Sequence, residues 1–386
     1  MNNRGKCEIM VFYTYSQRQY DFVDKDFGTK IKWDIPLLDG YDYMFIKNNA
    51  RKPDLTHFYG IKCPHLITEI EKWGATHLLI FGWNYQAHLK AIRYFKGKIP
   101  VLFRGDSTLL DYDFKKVSDI FKRDKSINLI NAIKSLAKFK IRKAFLTWVY
   151  KSVDTALYVG QNNKAYYVTH GLKERQLKFA PHAIDNERFF DSKDKNYESR
   201  AEIWRKELGF KNDDIILLYA GKFEPRKNLL FFIEAVNKLQ RNDGLKFKII
   251  LLGNGPIEKE LRQVASNNSN ITFLPFQNQS KMPAVYRLAD YYCLPSNSET
   301  WGLAINEAMA CGRLAIVSNK VGCALDLIKN KNHIFESNNT ESLISTLKTA
   351  VTDSIMQSEY PNPEILINEW NFTSISKAIE KLVVGK

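Results

Sequence analysis

The sequence is poor in cysteine and short of acid. Five cysteines, Cys7, Cys63, Cys293, Cys311 and Cys323, stand singly among 386 residues. None lies in CxxC spacing and the count is odd, which argues against a disulfide scaffold or zinc site and fits a reducing compartment. No apolar run reaches the roughly 18 residues of a membrane-spanning helix. The opening MNNRGKCEIMVFYTY has no apolar signal core or cleavage site, so a cytoplasmic protein is expected. Aspartate and glutamate number 42 against 57 lysines and arginines, leaving a formal charge of +15. That excess asks for an anionic partner: nucleic acid, an acidic membrane, or a phosphate-bearing ligand.

Apolar residues make up 45% of the chain and charged residues 26%, enough for well-filled cores in two or three soluble domains. In the second half, IILLYAG (215–221), FKIILLGNG (247–255), ITFL (271–274), YYCLP (291–295) and LAIV (314–317) are short apolar runs. Segments with helical periodicity separate them. Strand alternating with helix is the pattern of an open parallel sheet with crossover helices. The first half repeats it through CEIMVFYTY (7–15), HLLIFGW (77–83), IPVLFRG (99–105) and DTALYVG (154–160). The expected fold is α/β, two Rossmann-like parallel-sheet domains facing a central cleft, divided into 1–190 and 191–370. In such sheets ligands bind beyond the carboxyl ends of the strands, which is where chemistry is to be sought.

The stretch SETWGLAINEAMACG (298–312) follows the YYCLP strand and opens a helix near Gly302. Trp301, Gly302, Leu303 and Ala304 would present unpaired backbone amides there, a ready anion site. Glu299 lies just outside the helix start, and Glu307 lies about 7 Å further along it. A diphosphate on the amides with a hydroxyl-rich group at each glutamate fits this layout, and a nucleotide sugar is such a molecule. The spacing alone is equally that of a dipole-favoured acid and a solvated helix residue. Lys222 and Lys227, in AGKFEPRKN (220–228), occupy the loop after another strand. They could hold a diphosphate and stabilise the charge on a departing nucleoside diphosphate without a metal. Two solvated loop lysines would look the same. Gly253, in LLGNGP, belongs to a glycine turn that suits close backbone approach to a ligand or simple packing.

Taken in order, AGKFEPRKN, LLGNGP, FLPFQNQSKMPAVYRLADYYCLPSNSETWGLAINEAMACG resembles family 4 of the retaining GT-B glycosyltransferases (group 1). The acid–seven–acid spacing of Glu299 and Glu307 is the hallmark. The likeness is strong over 215–330, weaker in KFAPHAIDNERF (178–189) and thin before that. The resemblance implies that Glu307 binds donor ribose and Glu299 contacts the transferred sugar. It also implies that residues 301–304 offer amides to sugar and phosphate, that Lys222 and Lys227 hold the diphosphate, and that Phe276 lies where the base is held. Lys222 replaces the commoner Arg, keeping the charge but losing a bidentate grip. A helix at 371–386 is expected to cross back onto the first domain.

The first half departs from the family. TYSQRQY (14–20) stands where a Gly-Gly turn is usual, and Asp106, in FRGDS, stands where a histidine is usual. Asp106 could accept a bond from a sugar hydroxyl, and Arg104 beside it could pair with an acidic group or with Asp106 itself. Trp83, Asn84 and Tyr85 could line an acceptor pocket or form a packed aromatic cap. Residues 115–151 hold eleven lysines or arginines against two aspartates, more than half of the chain's excess. Lys134, Lys138 and Arg142 recur every four residues beside an apolar stripe of Ile130, Ile133, Ala137, Ile141, Phe145 and Trp148. That is a basic amphipathic helix, suited to an anionic membrane surface or to packing with a solvated basic face. No nucleic-acid motif is present, so nucleic acid is not expected as a partner. DYD (111–113) has the form of a metal-binding DxD, but the tandem-sheet pattern argues against the fold that uses it.

The expected activity is retaining transfer of a hexose from a UDP- or GDP-sugar to a hydroxyl of a glycan or lipid-linked glycan. No metal and no further cofactor are expected. The setting would be surface polysaccharide synthesis on the cytoplasmic face of the inner membrane. A sugar-nucleotide epimerase or hydrolase would use the same cleft, and a non-catalytic membrane- or nucleic-acid-binding protein would account for the charge.

Overall fold

The computed structural model describes residues 7–15, 22–24, 29–31, 34–112, 126–244, 247–356 and 362–385. The chain forms two compact units. The first comprises residues 1–20, 38–181 and 375–386, and the second residues 21–37 and 182–374. Asp113 of the DYD motif and Lys115, Lys116, Lys122, Arg123 and Lys125 of the basic run lie outside the described residues.

In the first unit, β1 (Met10–Tyr13) pairs in parallel with a strand at Asp42–Phe45. The hairpin β2 (Phe22–Asp24) and β3 (Thr29–Ile31) intervenes in sequence but belongs to the second unit, which makes Asp42–Phe45 β4. Four further strands, β5 (Leu78–Phe81), β6 (Val101–Arg104), β7 (Thr155–Tyr158) and β8 (Leu177–Phe179), form a parallel sheet in that order. Helices α1 (Leu66–Trp73), α2 (Gln86–Phe95), α3 (Ser126–Tyr150) and α4 (Gln161–Thr169) alternate with the strands. Ile70, Ala91, Ile92, Phe103, Leu146, Val149, Ala156 and Tyr167 fill the core between sheet and helices.

The second unit carries a six-stranded parallel sheet of β9 (Ile215–Ala220), β10 (Phe247–Leu252), β11 (Ile271–Leu274), β12 (Tyr291–Leu294), β13 (Leu314–Ser318) and β14 (Ile334–Phe335). The spatial order is β11-β10-β9-β12-β13-β14. The chain winds outward from β9 to one edge, returns, and winds from β12 to the other. β9, β10 and β12 are nearly continuous apolar runs because helices cover both faces of such a sheet. The helices are α5 (Asn186–Phe189), α6 (Tyr197–Glu207), α7 (Leu229–Asp243), α8 (Glu258–Ala265), α9 (Met282–Arg287), α10 (Leu303–Ala310), α11 (Ala324–Leu327), α12 (Thr340–Met356) and α13 (Pro363–Ile367). The last helix, α14 (Phe372–Val383), falls mostly in the first unit from Ile375 on.

The units divide at 181, nine residues before the boundary expected from sequence. Polar composition suggested a linker after 185, but the preceding residues are already committed to the second unit. Asn306 Nδ2 donates to His182 O at 3.1 Å, and Asn186 Nδ2 donates to Ile367 O at 3.1 Å. Strands β4, β8 and β14 and the hairpin β2–β3 were not anticipated, because these short segments carry no long apolar run.

Candidate functional site

β9 and β12 are neighbours from which the chain departs in opposite directions, and a crevice opens where such a sheet reverses its strand order. Two loops meet there. The first runs from Gly221 to a 3₁₀ turn at Pro225–Lys227, and Asn228, at φ +59°, redirects the chain into α7. Two buried tyrosines staple its start: Tyr219 Oη donates to Lys222 O at 2.7 Å, and Tyr292 Oη donates to Ala220 O at 3.1 Å. The second loop follows β12. Asn297 N donates to Arg226 O at 2.8 Å, joining the two loops. Glu299 N donates to Lys320 O at 3.2 Å and Glu299 O accepts from Gly322 N at 3.0 Å, so the loop after β13 fixes the backbone that carries Glu299.

Lys227 Nζ and Glu299 Oε2 form an ion pair, each side chain 13% exposed. Arg226 Nε donates to Glu224 Oε2 at 2.6 Å, and Arg226 Nη1 stands 3.8 Å from Glu299 Oε2. Arg226, Lys227 and Glu299 line a cavity of about 160 Å³ together with Lys222, Gly302, Leu303 and Ala304. Three cations and one carboxylate line it. Helix α10 begins at the same cavity, adding unpaired amides with the positive end of its dipole. Gly302 caps it at φ +99°, where a Cβ would stand 2.9 Å from Leu294 Cδ2. Lys222, Lys227, Glu299, Gly302, Leu303 and Ala304, singled out from sequence, thus share one cavity.

Glu307 lies one turn further along α10 and outside the cavity lining. It is half-buried, and its Oε2 accepts from Tyr286 Oη at 2.5 Å. Burial pushes its carboxyl above the usual carboxylate range, while the Tyr286 bond and the nearby Arg188 guanidinium pull it back. Sequence reading passed over Arg226, Tyr286 and Arg188. Arg226 could have been noticed, since it sits between Glu224 and Lys227 in the loop already chosen. Tyr286 gave no signal, because a tyrosine in an apolar helix is ordinary core.

Trp301, Gly253 and Phe276 lie outside the cavity lining. The Trp301 side chain is 3% exposed, with Nε1 donating to Asn306 Oδ1 at 2.9 Å and its ring 5.2 Å from that of Trp370. It is packing, which leaves only its backbone for a ligand. At Gly253 the missing side chain makes room for the neighbouring loop: a Cβ there would stand 2.0 Å from Gly221 O. Phe276 stands in the loop after β11.

In the first unit, Arg104 is turned inward. It is 7% exposed and donates from Nη1 to Ala180 O at 2.9 Å and from Nη2 to Pro181 O at 2.8 Å. It satisfies carbonyls that burial would otherwise strand, so it is not offered to an acceptor. Asp106 is partly exposed in the loop after β6. Trp83 and Tyr85 pack against the core of this unit, and Tyr85 Oη donates to Leu55 O at 3.0 Å, the behaviour of an aromatic cap; Asn84, between them, is exposed. On α3, Lys134 and Lys138 are exposed together with Ile133, Ile141, Phe145 and Trp148. Leu146, Val149 and Tyr150 face the core instead. Arg142 is exposed with the two lysines and also donates from Nη2 to Tyr166 Oη at 3.3 Å. No described helix is long and apolar enough to cross a membrane. Among the described residues, no three His, Cys, Asp or Glu side chains are grouped to hold a metal.

Residues 200–362 match the family model of the glycosyl transferases group 1. The chain is 26% identical over 213 residues to the UDP-Gal:alpha-D-GlcNAc-diphosphoundecaprenol alpha-1,3-galactosyltransferase of Escherichia coli, a match covering 54% of this chain and 53% of that one. The chain therefore spans about half the length of that relative. Among solved structures, HepE of Anabaena in complex with UDP and glucose superposes with a TM-score of 0.60 at 16% identity, over 90% of this chain and 87% of that one. Sucrose-phosphate synthase of Thermosynechococcus elongatus superposes with a TM-score of 0.61 at 18% identity, over 82% and 74%. The fold is that of GT-B proteins, and the family likeness lies in residues 200–362.

Proposed function

We propose that this chain is a retaining glycosyltransferase that moves a hexose from a UDP- or GDP-sugar to a hydroxyl of a glycan or lipid-linked glycan. One observation carries the reading. At the reversal point of the second unit's sheet, Lys222, Arg226, Lys227 and the start of α10 converge on a cavity that also holds Glu299. Cations and helix amides suit a diphosphate, and a carboxylate beside them suits sugar hydroxyls. A diphosphate arriving at Lys227 takes over its ammonium and turns Glu299 to the sugar. As the glycosidic bond breaks, charge gathers on the diphosphate, and the fixed cations stabilise it. A departing phosphate oxygen takes the proton of the acceptor hydroxyl, which attacks from the same face and so keeps the anomeric configuration. Asp106, in the first unit, is assigned to a sugar hydroxyl on donor or acceptor.

The relative in Escherichia coli is named for a lipid-diphosphate acceptor. Together with the exposed lysines and apolar side chains of α3, that name supports a lipid-linked acceptor met at an anionic membrane surface, in surface polysaccharide synthesis.

A thermal-shift panel of UDP-, GDP-, ADP- and CMP-sugars, followed by transfer assays with the hit in EDTA, tests the proposal. Binding of a UDP- or GDP-sugar and transfer in EDTA are expected. Lys227→Ala is expected to lower transfer by about a hundredfold or more while the fold survives. A strict divalent-ion requirement would overturn the metal-free mechanism. Free sugar or an epimer from donor alone, with no transfer, would identify a hydrolase or epimerase instead.

A further inference from the structure

Glu307 is surrounded by groups from several elements, and they treat its carboxylate unequally. Tyr286, from α9, is 2% exposed and donates its hydroxyl to Oε2 at 2.5 Å. Its ring is wedged edge-on between Phe189, at 6.1 Å, and Tyr292, at 5.6 Å. The hydroxyl is thereby fixed in direction as well as in place. Tyr292, from β12, also faces Glu307 electrostatically, but its hydroxyl goes to Ala220 O. Cys311, just past the helix, directs its thiol to Phe189 O and Pro283 O at 3.7 Å each. Arg188, from α5, contributes positive charge, its guanidinium lying 4.6 Å above the Phe189 ring.

We propose that Tyr286 is a positioning residue: by holding Oε2 it aims the other carboxylate oxygen at the ribose hydroxyls of the bound nucleotide and sets the preference for ribose over deoxyribose. The proposal rests on the reading of Glu307 as the ribose carboxylate. A carboxylate on a long side chain otherwise samples several rotamers, and each lost rotamer is entropy that binding must supply. A buried phenol, locked by two neighbouring rings, removes that freedom before the ligand arrives. The same bond acts on ionisation. It favours the charged form that accepts ribose hydrogen bonds, against burial, which favours the neutral one. Losing the phenol oxygen would therefore raise the Glu307 pKa further and leave less carboxylate at any acidic pH.

The experiment is calorimetric titration of the full chain with UDP and 2′,3′-dideoxy-UDP, with the GDP pair in parallel, for wild type, Tyr286→Phe, Glu307→Gln and the double variant, from pH 5 to pH 8. Tyr286→Phe keeps the ring and its packing. It is expected to weaken binding of the ribonucleotide by about tenfold and leave the dideoxy form unchanged, the size of one hydrogen bond to a charged group. The acid limb of ribonucleotide binding should move to higher pH. Added to Glu307→Gln, it should change nothing further. If Glu307→Gln weakens binding but Tyr286→Phe leaves affinity, ribose preference and pH limb untouched, the positioning role is overturned alone. An equal loss for both nucleotides at every pH also overturns it, since that is plain destabilisation. If Glu307→Gln itself binds as wild type, or no nucleotide binds, the ribose assignment fails and the proposal falls with it.

Discussion

Glu307 and Gly253 show how differently a single residue can earn its place. The environment of Glu307 raises its pKa, by burial first, so the folded chain binds a proton there more readily than the unfolded chain does. Its stabilising contribution is therefore full below the unfolded carboxylate pKa and is lost as pH rises through the folded value. At neutral pH the ionised group weighs against stability, a cost that a ligand site tolerates. Glu307→Gln is thus expected to raise Tm at pH 7, with the gain shrinking as pH falls toward 4, while abolishing ribonucleotide preference. Thermal melts across pH would check this, and a lower Tm at pH 7 would contradict it. Gly253 sits at φ +135° with the carbonyl of Gly221 where a Cβ would go. Gly253→Ala must move the loop that carries Lys222, and should cost about 3 kcal/mol. Melting should show a fall of roughly 6–12 °C for a unit of this size.

At the scale of elements, α3 carries two faces. Leu146, Val149 and Tyr150 anchor its last turns in the core, whereas Ile133, Ile141, Phe145 and Trp148 stay exposed beside Lys134 and Lys138. A lysine near an anionic lipid surface is worth about 1 kcal/mol. Reversing both charges, in Lys134→Glu with Lys138→Glu, is expected to weaken sedimentation with phosphatidylglycerol vesicles by at least about tenfold. Transfer to a soluble acceptor should remain. Unchanged vesicle binding would remove α3 from the membrane reading. Arg142 shares the periodicity of Lys134 and Lys138 and is exposed like them, while its Nη2 also reaches the Tyr166 hydroxyl.

For the whole molecule, the residues around the cavity all belong to the second unit, as do Tyr286, Arg188 and Glu307. A fragment of residues 182–374 is therefore expected to bind nucleotide with an affinity close to that of the full chain and to transfer no sugar. Titration of the purified, folded fragment checks it, and failure to bind would place part of the nucleotide site elsewhere.

The sequence by itself determined the alternation of strand and helix, the apolar runs of β9, β10 and β12, and the loops in which Lys222, Lys227 and Glu299 stand. These are local properties: hydrophobic period, turn residues and a helix start can be read within ten or fifteen positions. Only the tertiary structure decided which side chains met. Pairing β12 with β9 put Lys227 and Glu299, 72 residues apart, into one ion pair and created the reversal point that opens the cavity. Packing turned Trp301 and Arg104 inward and brought the Tyr286 hydroxyl onto Glu307. A residue type states what a side chain can do, but burial and neighbours decide what it does, and both depend on elements far away in the chain.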